Sequence, residues 1–428
     1  MKKKRIMILA AVIVLAVCGA AATFWLLKDK AVAVDYTEMP ADLLAAAKGH
    51  SGIDEDFATD DFSMVYNNAD GTKTMYVYTH PIRYLGEDSK YHIIDNTIIP
   101  TQTGWQNKAN DIKTVFEQDK LILSLQEHAV HLTLPQKEAT LGAVKTLLGN
   151  RQEALQYAGG GYTLSCYPTY LGVKLQLDVT KPITQSLQFG LRADGLDINT
   201  DNAFYMDFQD ESYVTAALLY QPTAKDAVGK TLRLRNALQY DGENLRLDLS
   251  GLAEVQYPVS IEFTLNMYKK KQADSCVMSG YPNSNQYLDN YLHVGRFDDL
   301  GNTESLLRFE SSLYKTVAAE KVISAVYCFS GASSFPENDM QAFECDKEWA
   351  STKVTWNTRD KYPAALGAVV CRENEYSCDI TPLLKKWIDG SGDSHFGFQL
   401  TAAAESEGVF FPSADNGYCS PYLVVEFH

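Results

Sequence analysis

Two tryptophans give the first sign of possible chemistry. The segment WASTKVTWNT, residues 349–358, places two of the chain's five tryptophans seven residues apart. An indole can stack on a sugar ring, fill a core or line an active site. Alternation from Thr352 predicts a β-strand with Val354 and Trp356 on one face, toward the core. Trp349 precedes that strand in a polar loop, so we expect it to be exposed and to be the ligand-stacking residue.

Oxygen-bearing side chains cluster in a second segment, RFDDLGNTE, which we interpret as a loop. Carboxylate and amide oxygens on a flexible loop are ligands that calcium accepts. The segment DGSGD, with Asp389 and Asp393, is a weaker case, and neither segment has EF-hand spacing. The alternative is that these acidic loops are only solvated. The candidate ligands of a structural calcium ion are Asp298, Asp299, Asn302 and Glu304.

Motifs for catalysis are missing from the sequence. There is no G-x-S-x-G, and the glycines at 159–161 are not followed by the Lys-Ser/Thr of a phosphate loop. His128 and His131 lie three apart on a predicted strand, which points them to opposite faces. A pair of carboxylates chosen among 54 acidic residues has no predictive value. We therefore predict no catalytic residues.

Composition limits the class of protein. The formal net charge of −16 argues against nucleic acid and anionic lipid headgroups as partners. Tyrosine is abundant at 25 residues, as in β-rich proteins, and 428 residues allow two or three domains. The seven cysteines beyond Cys18 have irregular spacing and no C-x-x-C, which predicts mostly buried free thiols, with one or two disulfide bridges left open.

The N-terminus predicts export. Residues 6–27 form an uncharged apolar run that would rise about 33 Å as a helix, enough for a bilayer core of roughly 30 Å. Four basic residues precede it, so the N-terminus is expected in the cytoplasm and the rest outside, as a single-pass protein of the cell membrane. Two alternatives remain, a lipoprotein modified at Cys18 and a signal peptide cleaved near residues 19–22. All three export the chain.

The pattern of the remaining chain predicts a mainly β structure. We predict a cytoplasmic tip and transmembrane anchor at 1–30, a tether at 31–60, a β-rich domain at 61–268 and a β-sandwich at 269–428, divided at the basic run YKKKQADS. Asp241-Gly242 predicts a hairpin turn. KEATLGAVKTLLGNRQEALQYAGGG predicts one or two helical turns, and DITPLLKKWIDG predicts a helix with Thr381 as N-cap and Trp387 on its apolar face.

Six C-terminal segments follow one another in a specific order, from YLHVGRF and LLRFE through VTWN, DITPLLKKW and FGFQL to PYLVV. In this order they resemble the DNRLRE domain, also classed as carbohydrate-binding module family 96. The matching positions are Leu292, Val294, Gly295, 306–309, 354–357, Asp379, Thr381, Trp387, Gly397, Phe398, Leu400 and 421–425. The resemblance implies a β-sandwich that binds carbohydrate.

The region before it contains the segments THPIRYLGEDSKYHIIDNTI and YPVSIEF. They resemble motifs of the N-terminal domain that precedes such modules in bacterial wall-associated and RHS-type proteins, with Tyr91 in place of the usual Trp. No activity follows from this second resemblance.

These observations predict a non-catalytic, membrane-anchored extracellular protein of two β-sandwich-like domains that binds polysaccharide or cell-wall glycan. Two other classes stay open: a structural module that binds surface proteins, and a polysaccharide-degrading enzyme. We predict no cofactor, and a structural calcium ion is the one candidate ligand of this kind.

Overall fold

The computed structural model describes residues 43, 46–54, 57, 60–147, 151–183, 186–252, 255–269, 272–309, 316–331, 339–372, 375–390, 396–403, 406–417 and 421–428. The predicted anchor at 6–27 and most of the tether at 31–60 lie outside these residues. Among the described residues, no helix has the length and apolar character needed to cross a membrane. The described chain is mainly β, as predicted.

The strands that open the chain are short. They form a β-meander and a separate two-stranded hairpin: β1 (Gly52–Ile53), β2 (Ser63–Asn67), β3 (Lys73–Tyr78), β4 (Arg83–Leu85) and β5 (Tyr91–Ile93).

The next strands build the first sandwich: β6 (Asp95–Pro100), β7 (Trp105–Ala109), β8 (Lys113–Glu117), β9 (Lys120–Leu125), β10 (His128–Thr133), β11 (Ala139–Lys145), β12 (Arg151–Ala158), β13 (Tyr162–Pro168), β14 (Gly172–Val179), β15 (Leu187–Asp194), β16 (Asp197–Asn199), β17 (Tyr205–Gln209), β18 (Thr215–Tyr220), β19 (Thr223–Lys225), β20 (Thr231–Arg233), β21 (Leu238–Tyr240), β22 (Asn244–Leu247) and β23 (Val259–Met267). One sheet has the order β21-β22-β15-β10-β9-β8-β7-β6. The other has the order β11-β12-β13-β14-β23-β18-β17-β16, with β19 and β20 added beside β23. Their facing apolar side chains meet in one core, where the rings of Phe189 and Phe263 are 5.8 Å apart.

The helical turns predicted within residues 137–161 are wrong. The segment forms β11 and β12, paired in register from Ala139 opposite Tyr157 to Lys145 opposite Arg151. Leu155 and Tyr157 are buried on the core side of β12, and β12 pairs in turn with β13. Pairing with an existing sheet therefore overrides a weak local helix preference. The turn predicted at Asp241-Gly242 is confirmed, since it joins β21 to β22.

A second sandwich follows: β24 (Ala273–Met278), β25 (Tyr291–Phe297), β26 (Gly301–Arg308), β27 (Val322–Ser330), β28 (Met340–Glu344), β29 (Ala365–Ala368), β30 (Val370–Arg372), β31 (Glu375–Asp379), β32 (Phe398–Ala402), β33 (Val409–Pro412) and β34 (Tyr422–Phe427). One sheet has the order β29-β28-β32-β26-β25-β33, with β24 beside β26. Phe411 of this sheet meets Phe329 of the opposite sheet at a ring distance of 4.2 Å.

The opposite sheet combines both ends of the chain. Its order is β1-β2-β3-β34-β27-β31-β30, so the last strand lies between β3 and β27. Val65, Met75 and Val77 of the early strands are fully buried in the second core. The predicted domain of residues 61–268 is therefore wrong at its N-terminal boundary, because β2 and β3 belong to the C-terminal sandwich.

The first sandwich is thus an insertion into the second. The chain leaves β3 at Thr79 and returns at Gln272, whose backbone N–H donates to the Thr79 carbonyl at 2.9 Å. β23 ends at Met267 and β24 begins at Ala273 in a different sheet. The basic run between them contains Lys269, which bonds Asp111 of the first sandwich at 2.8 Å.

The predicted C-terminal helix is confirmed as α1 (Thr381–Ile388). Leu383, Leu384 and Trp387 are buried on its inner face. The helix starts one residue earlier than expected, because Thr381 is its first residue rather than its cap. The Thr381 hydroxyl instead accepts a hydrogen bond from the Ala325 N–H at 2.8 Å, which ties the helix to β27. Two short 3₁₀ helices lie at Ser250–Leu252 and Ala319–Lys321.

A buried polar network joins the sandwiches. Glu262 on β23 accepts hydrogen bonds from Lys174 at 3.0 Å, Tyr167 at 2.9 Å and Tyr291 of the second sandwich at 2.7 Å. Lys174 also donates to Asn416 of the second sandwich at 2.8 Å, and both charged side chains are about 1–2% exposed. Burial, then the Glu262 carboxylate, raises the pKa of Tyr291, which keeps its hydroxyl a donor. A buried carboxylate with three donors satisfies most of its acceptor capacity.

Backbone contacts complete this junction. The Tyr170 N–H donates to the Gly417 carbonyl at 2.9 Å. Gly417 has φ +65°, and a Cβ there would lie 3.0 Å from Leu171 and Thr169, so the turn requires glycine. His80 packs between Tyr78 and Tyr170, and burial lowers the pKa of His80 to about 3, so the ring is neutral near pH 7.

We predict that residues 269–428 produced alone do not form the stable second sandwich. The fragment lacks β1–β3, so β34 becomes an open edge and the apolar face against Val65, Met75 and Val77 is exposed. Size-exclusion chromatography and thermal unfolding should show aggregation or a strongly lowered Tm. As a control, residues 46–79 joined by a short linker to 272–428 should restore a cooperative transition. A cooperative, monomeric 269–428 fragment with the Tm of the restored one would contradict the prediction.

We predict that Lys174→Met destabilises the chain by about 3–5 kcal/mol, because it leaves the Glu262 carboxylate buried without its cation. Urea unfolding measures this change. Lys347→Met is the matched control. It breaks the exposed pair with Asp360, which water screens, so the free energy of unfolding should hardly change. Equal losses of unfolding free energy in the two variants would contradict a Lys174–Glu262 pair that is shielded from water.

Candidate functional site: the Trp356 patch

A long connection between β28 and β29 covers the outer face of the second sandwich. It forms a small separate core with side chains that β24 and β26 project away from the main core. The buried members are Val277, Leu306, Cys345, Trp349, Val354 and Tyr362. Burial raises the pKa of the Cys345 thiol, which makes it a poor nucleophile. The described cysteines are all free, in agreement with the prediction.

Trp349 is one of these core residues, so its predicted exposure is wrong. The residue is 7% exposed, and its indole N–H donates to the Phe396 carbonyl. The Arg308 guanidinium lies 5.8 Å from its ring centre. The polar sequence CDKEWAST suggested a solvated loop, but the loop folds back onto the sheet and needs an apolar residue to anchor it. The ring is therefore not a free stacking surface.

Residues 351–358 form turns and not the predicted strand. The N–H groups of Lys353 and Val354 donate to Ala350, and that of Arg359 donates to Thr355. The hydroxyls of Thr355 and Thr358 bond each other at 3.0 Å and cap the second turn. Val354 points inward as expected, but Trp356 is only partly buried at the edge of the small core. The two tryptophans thus have nearly the reverse of their predicted roles.

Trp356 is held in place by a guanidinium. The Arg359 Cζ lies 3.4 Å from the centre of the Trp356 ring, a close cation–π contact. Arg359 also makes a two-point contact with Glu304, Nε to Oε2 at 2.6 Å and Nη2 to Oε1 at 3.1 Å. Such forked pairs are charge-assisted and fix geometry as well as charge. A third N–H reaches the Trp356 carbonyl. Of the five N–H groups on Arg359, these contacts use three.

Amides surround the same edge. The Asn357 side chain donates to Asn283 at 2.8 Å, and Gln399 on β32 donates to Glu304 at 2.8 Å. Asn285 donates to the carbonyls of Ser351 and Val354 at 2.6 and 2.7 Å, which fixes the turn. We call Trp356, Asn357, Arg359, Asn283 and Glu304 the Trp356 patch. An aromatic ring beside fixed amide, guanidinium and carboxylate groups can recognise a hydroxyl-rich ligand.

The predicted calcium ligands do not converge. Glu304 lies on β26 and is paired with Arg359, while Asp299 is paired with Arg235 of the first sandwich at 3.2 Å. Asp298 is exposed in the turn before β26, and Asn302 lies within that strand. Among the described residues, no group of three or more His, Cys, Asp or Glu side chains could hold a metal ion. The four side chains therefore do not form one loop cluster in this structure, since two of the carboxylates are paired with arginines, and calcium binding stays a prediction.

Sequence reasoning missed Arg359 and the pairing of Glu304 with it. The available signal was an arginine three residues after a tryptophan in WNTR, a spacing that stacks the two in a turn. The partner Glu304 is 55 residues away and was not detectable.

We predict that replacing Trp349 destabilises the protein more than replacing Trp356, which is the reverse of what the sequence pattern suggests. Trp349→Ala should cost about 3–5 kcal/mol, as for a buried large aromatic, and Trp356→Ala about 1–2 kcal/mol, since part of its surface is already exposed. Urea unfolding of both variants checks this. Trp349→Phe, which keeps most of the volume but not the N–H bond to Phe396, should lie between them. A Trp356→Ala loss larger than that of Trp349→Ala would contradict the assignment.

The comparisons with known proteins cover the region that contains this site. No curated protein sequence matches the chain. Residues 266–427, less than half of the chain, match the family model of carbohydrate-binding module family 96. The match confirms the family resemblance of the C-terminal motifs and includes every residue of the Trp356 patch. The resemblance of the preceding region to RHS-type proteins has no support in these comparisons. Residues 266–427, which supply β24 to β34 of the second sandwich, are thus similar to a carbohydrate-binding module family.

Proposed function

We propose that the chain is a non-catalytic glycan-binding protein whose second sandwich binds polysaccharide at the Trp356 patch. The observation that favours this most is the Arg359 guanidinium, held on Trp356 by Glu304 within a module of a carbohydrate-binding family. The preformed patch would bind without ordering a long, free side chain, which lowers the entropic cost of binding.

Surface attachment is a further part of the proposal. The apolar run at residues 6–27, preceded by basic residues, supports a single-pass anchor with the sandwiches outside the cell. The protein would then present its binding module to polysaccharide or cell-wall glycan near the membrane.

The test is a glycan array followed by calorimetric titration of the full chain with the best glycan. Trp356→Ala should weaken binding by about 1–3 kcal/mol, by analogy with base–aromatic stacking, and Arg359→Lys should weaken it because lysine cannot form the forked, stacked contact. Tyr213→Ala is the control, since Tyr213 is 83% exposed on the first sandwich.

Unchanged affinity in both patch variants, with their folding verified by thermal melts, would refute the site. Release of new reducing ends from the bound glycan would refute the non-catalytic function and favour an enzyme.

A further inference from the structure

A groove on the first sandwich has features of a second binding site. It encloses about 640 Å³ over β10 and β15, within the range of about 300–1,000 Å³ that ligand pockets occupy. Its walls come from Leu196 and the start of β16, and from the β21–β22 turn at Gly242 and Glu243. We call this feature the β10–β15 groove.

Strand alternation explains why its floor is polar. Leu132 and Leu191 point into the core, so His131 and Thr133 on β10 and Gly190 and Arg192 on β15 point outward. Gly190 pairs with Thr133, and a Cβ at Gly190 would lie 3.0 Å from the threonine side chain. The missing side chain leaves a depression at this point of an exposed sheet face.

The groove has unsatisfied hydrogen-bonding capacity. His131 Nε2 lies 2.8 Å from Asp194 Oδ2 and 3.2 Å from Arg192 Nη2. A ring nitrogen that donates to the carboxylate cannot also accept from the guanidinium. Arg192 Nε also contacts Asp194 Oδ1 at 3.2 Å. These contacts use at most two of the five N–H groups of Arg192, so the others can donate to another partner. Arg192 has a side chain 69% exposed, so a ligand can reach it.

The charges along the groove balance. Lys120 and Arg192 are cationic, and Asp197 and Glu243 are anionic, so two positive and two negative groups line it. Such a lining offers donors and acceptors side by side, which is what sugar hydroxyls require because each hydroxyl both donates and accepts. The net charge of −16 on the chain disfavours polyanions.

From these features we infer that the β10–β15 groove is a second glycan site, specific for a neutral oligosaccharide chain. The choice of a sugar as ligand rests on the proposed function, whereas the groove lies outside the residues that match the carbohydrate-binding family. Two sites on sandwiches joined by the buried Glu262 network would let one molecule bind a polysaccharide at two points, which raises the apparent affinity.

The experiment is calorimetric titration of the full chain with hexamers of β-1,4-glucose and β-1,4-N-acetylglucosamine, with polygalacturonate as a charged counter-probe. Arg192→Ala and His131→Ala should each weaken a hexamer-binding class at least tenfold. Arg246→Ala is the matched control, because Arg246 is an exposed arginine on neighbouring β22 outside the groove, and it should change affinity less than twofold.

The Trp356→Ala background separates the two sites. If the Trp356→Ala variant still binds a hexamer, and adding Arg192→Ala to it removes that binding, the groove is supported as a site. No residual binding, or residual binding unaffected by Arg192→Ala and His131→Ala, would overturn the groove while the Trp356 patch stands. Binding lost in the groove variants but intact in Trp356→Ala would support the groove and overturn the patch. Preference for polygalacturonate would overturn the neutral ligand class, and no binding of any probe by the unmodified chain would overturn both sites.

Discussion

The buried carboxylate of Glu262 is the constraint on which the arrangement of the two sandwiches depends. It lies on the outer face of one sheet of the first sandwich, where an unpaired charge would be strongly unfavourable. Lys174 and Tyr167 from the same sandwich each donate a hydrogen bond to this carboxylate, and Tyr291 from the second sandwich donates a third. Because Lys174 needs Asn416 in turn, separating the sandwiches would leave a buried ion pair only partly satisfied.

The insertion of one sandwich into the other also fixes their arrangement, through the connections of the backbone. The chain leaves the second sandwich at Thr79 and re-enters it at Gln272, and the hydrogen bond between these residues closes the base of the inserted domain. β34 is an interior strand only because β3 has been placed beside it. The region that matches carbohydrate-binding module family 96 is therefore structurally complete only when strands from the start of the chain are added to it.

The Trp356 patch shows how a site depends on layers beneath it. Trp349, Val354 and Leu306 form the small core that fixes the covering loop, and the loop then holds Trp356 at its edge. Glu304 reaches the same edge from β26 and orients Arg359 against the indole. The small core, the turn capped by Thr355 and Thr358, and the Arg359–Glu304 pair together hold the side chains of the patch in place. The patch is therefore ordered before a ligand binds.

The sequence alone determined features that depend on local pattern. The β class, the hairpin turn at Asp241-Gly242, the buried face of α1 with Trp387 and the family of the C-terminal module all follow from alternation, turn residues and ordered motifs. Tertiary structure alone decided which tryptophan is covered, because burial of Trp349 depends on the sheet face beneath its loop. It also decided that β11 and β12 are strands, since their neighbour β13 stabilises pairing over a weak helix preference. The pairing of Glu304 with Arg359, of β3 with β34 and of Lys174 with Glu262 joins residues far apart in the chain, and no local pattern encodes such contacts.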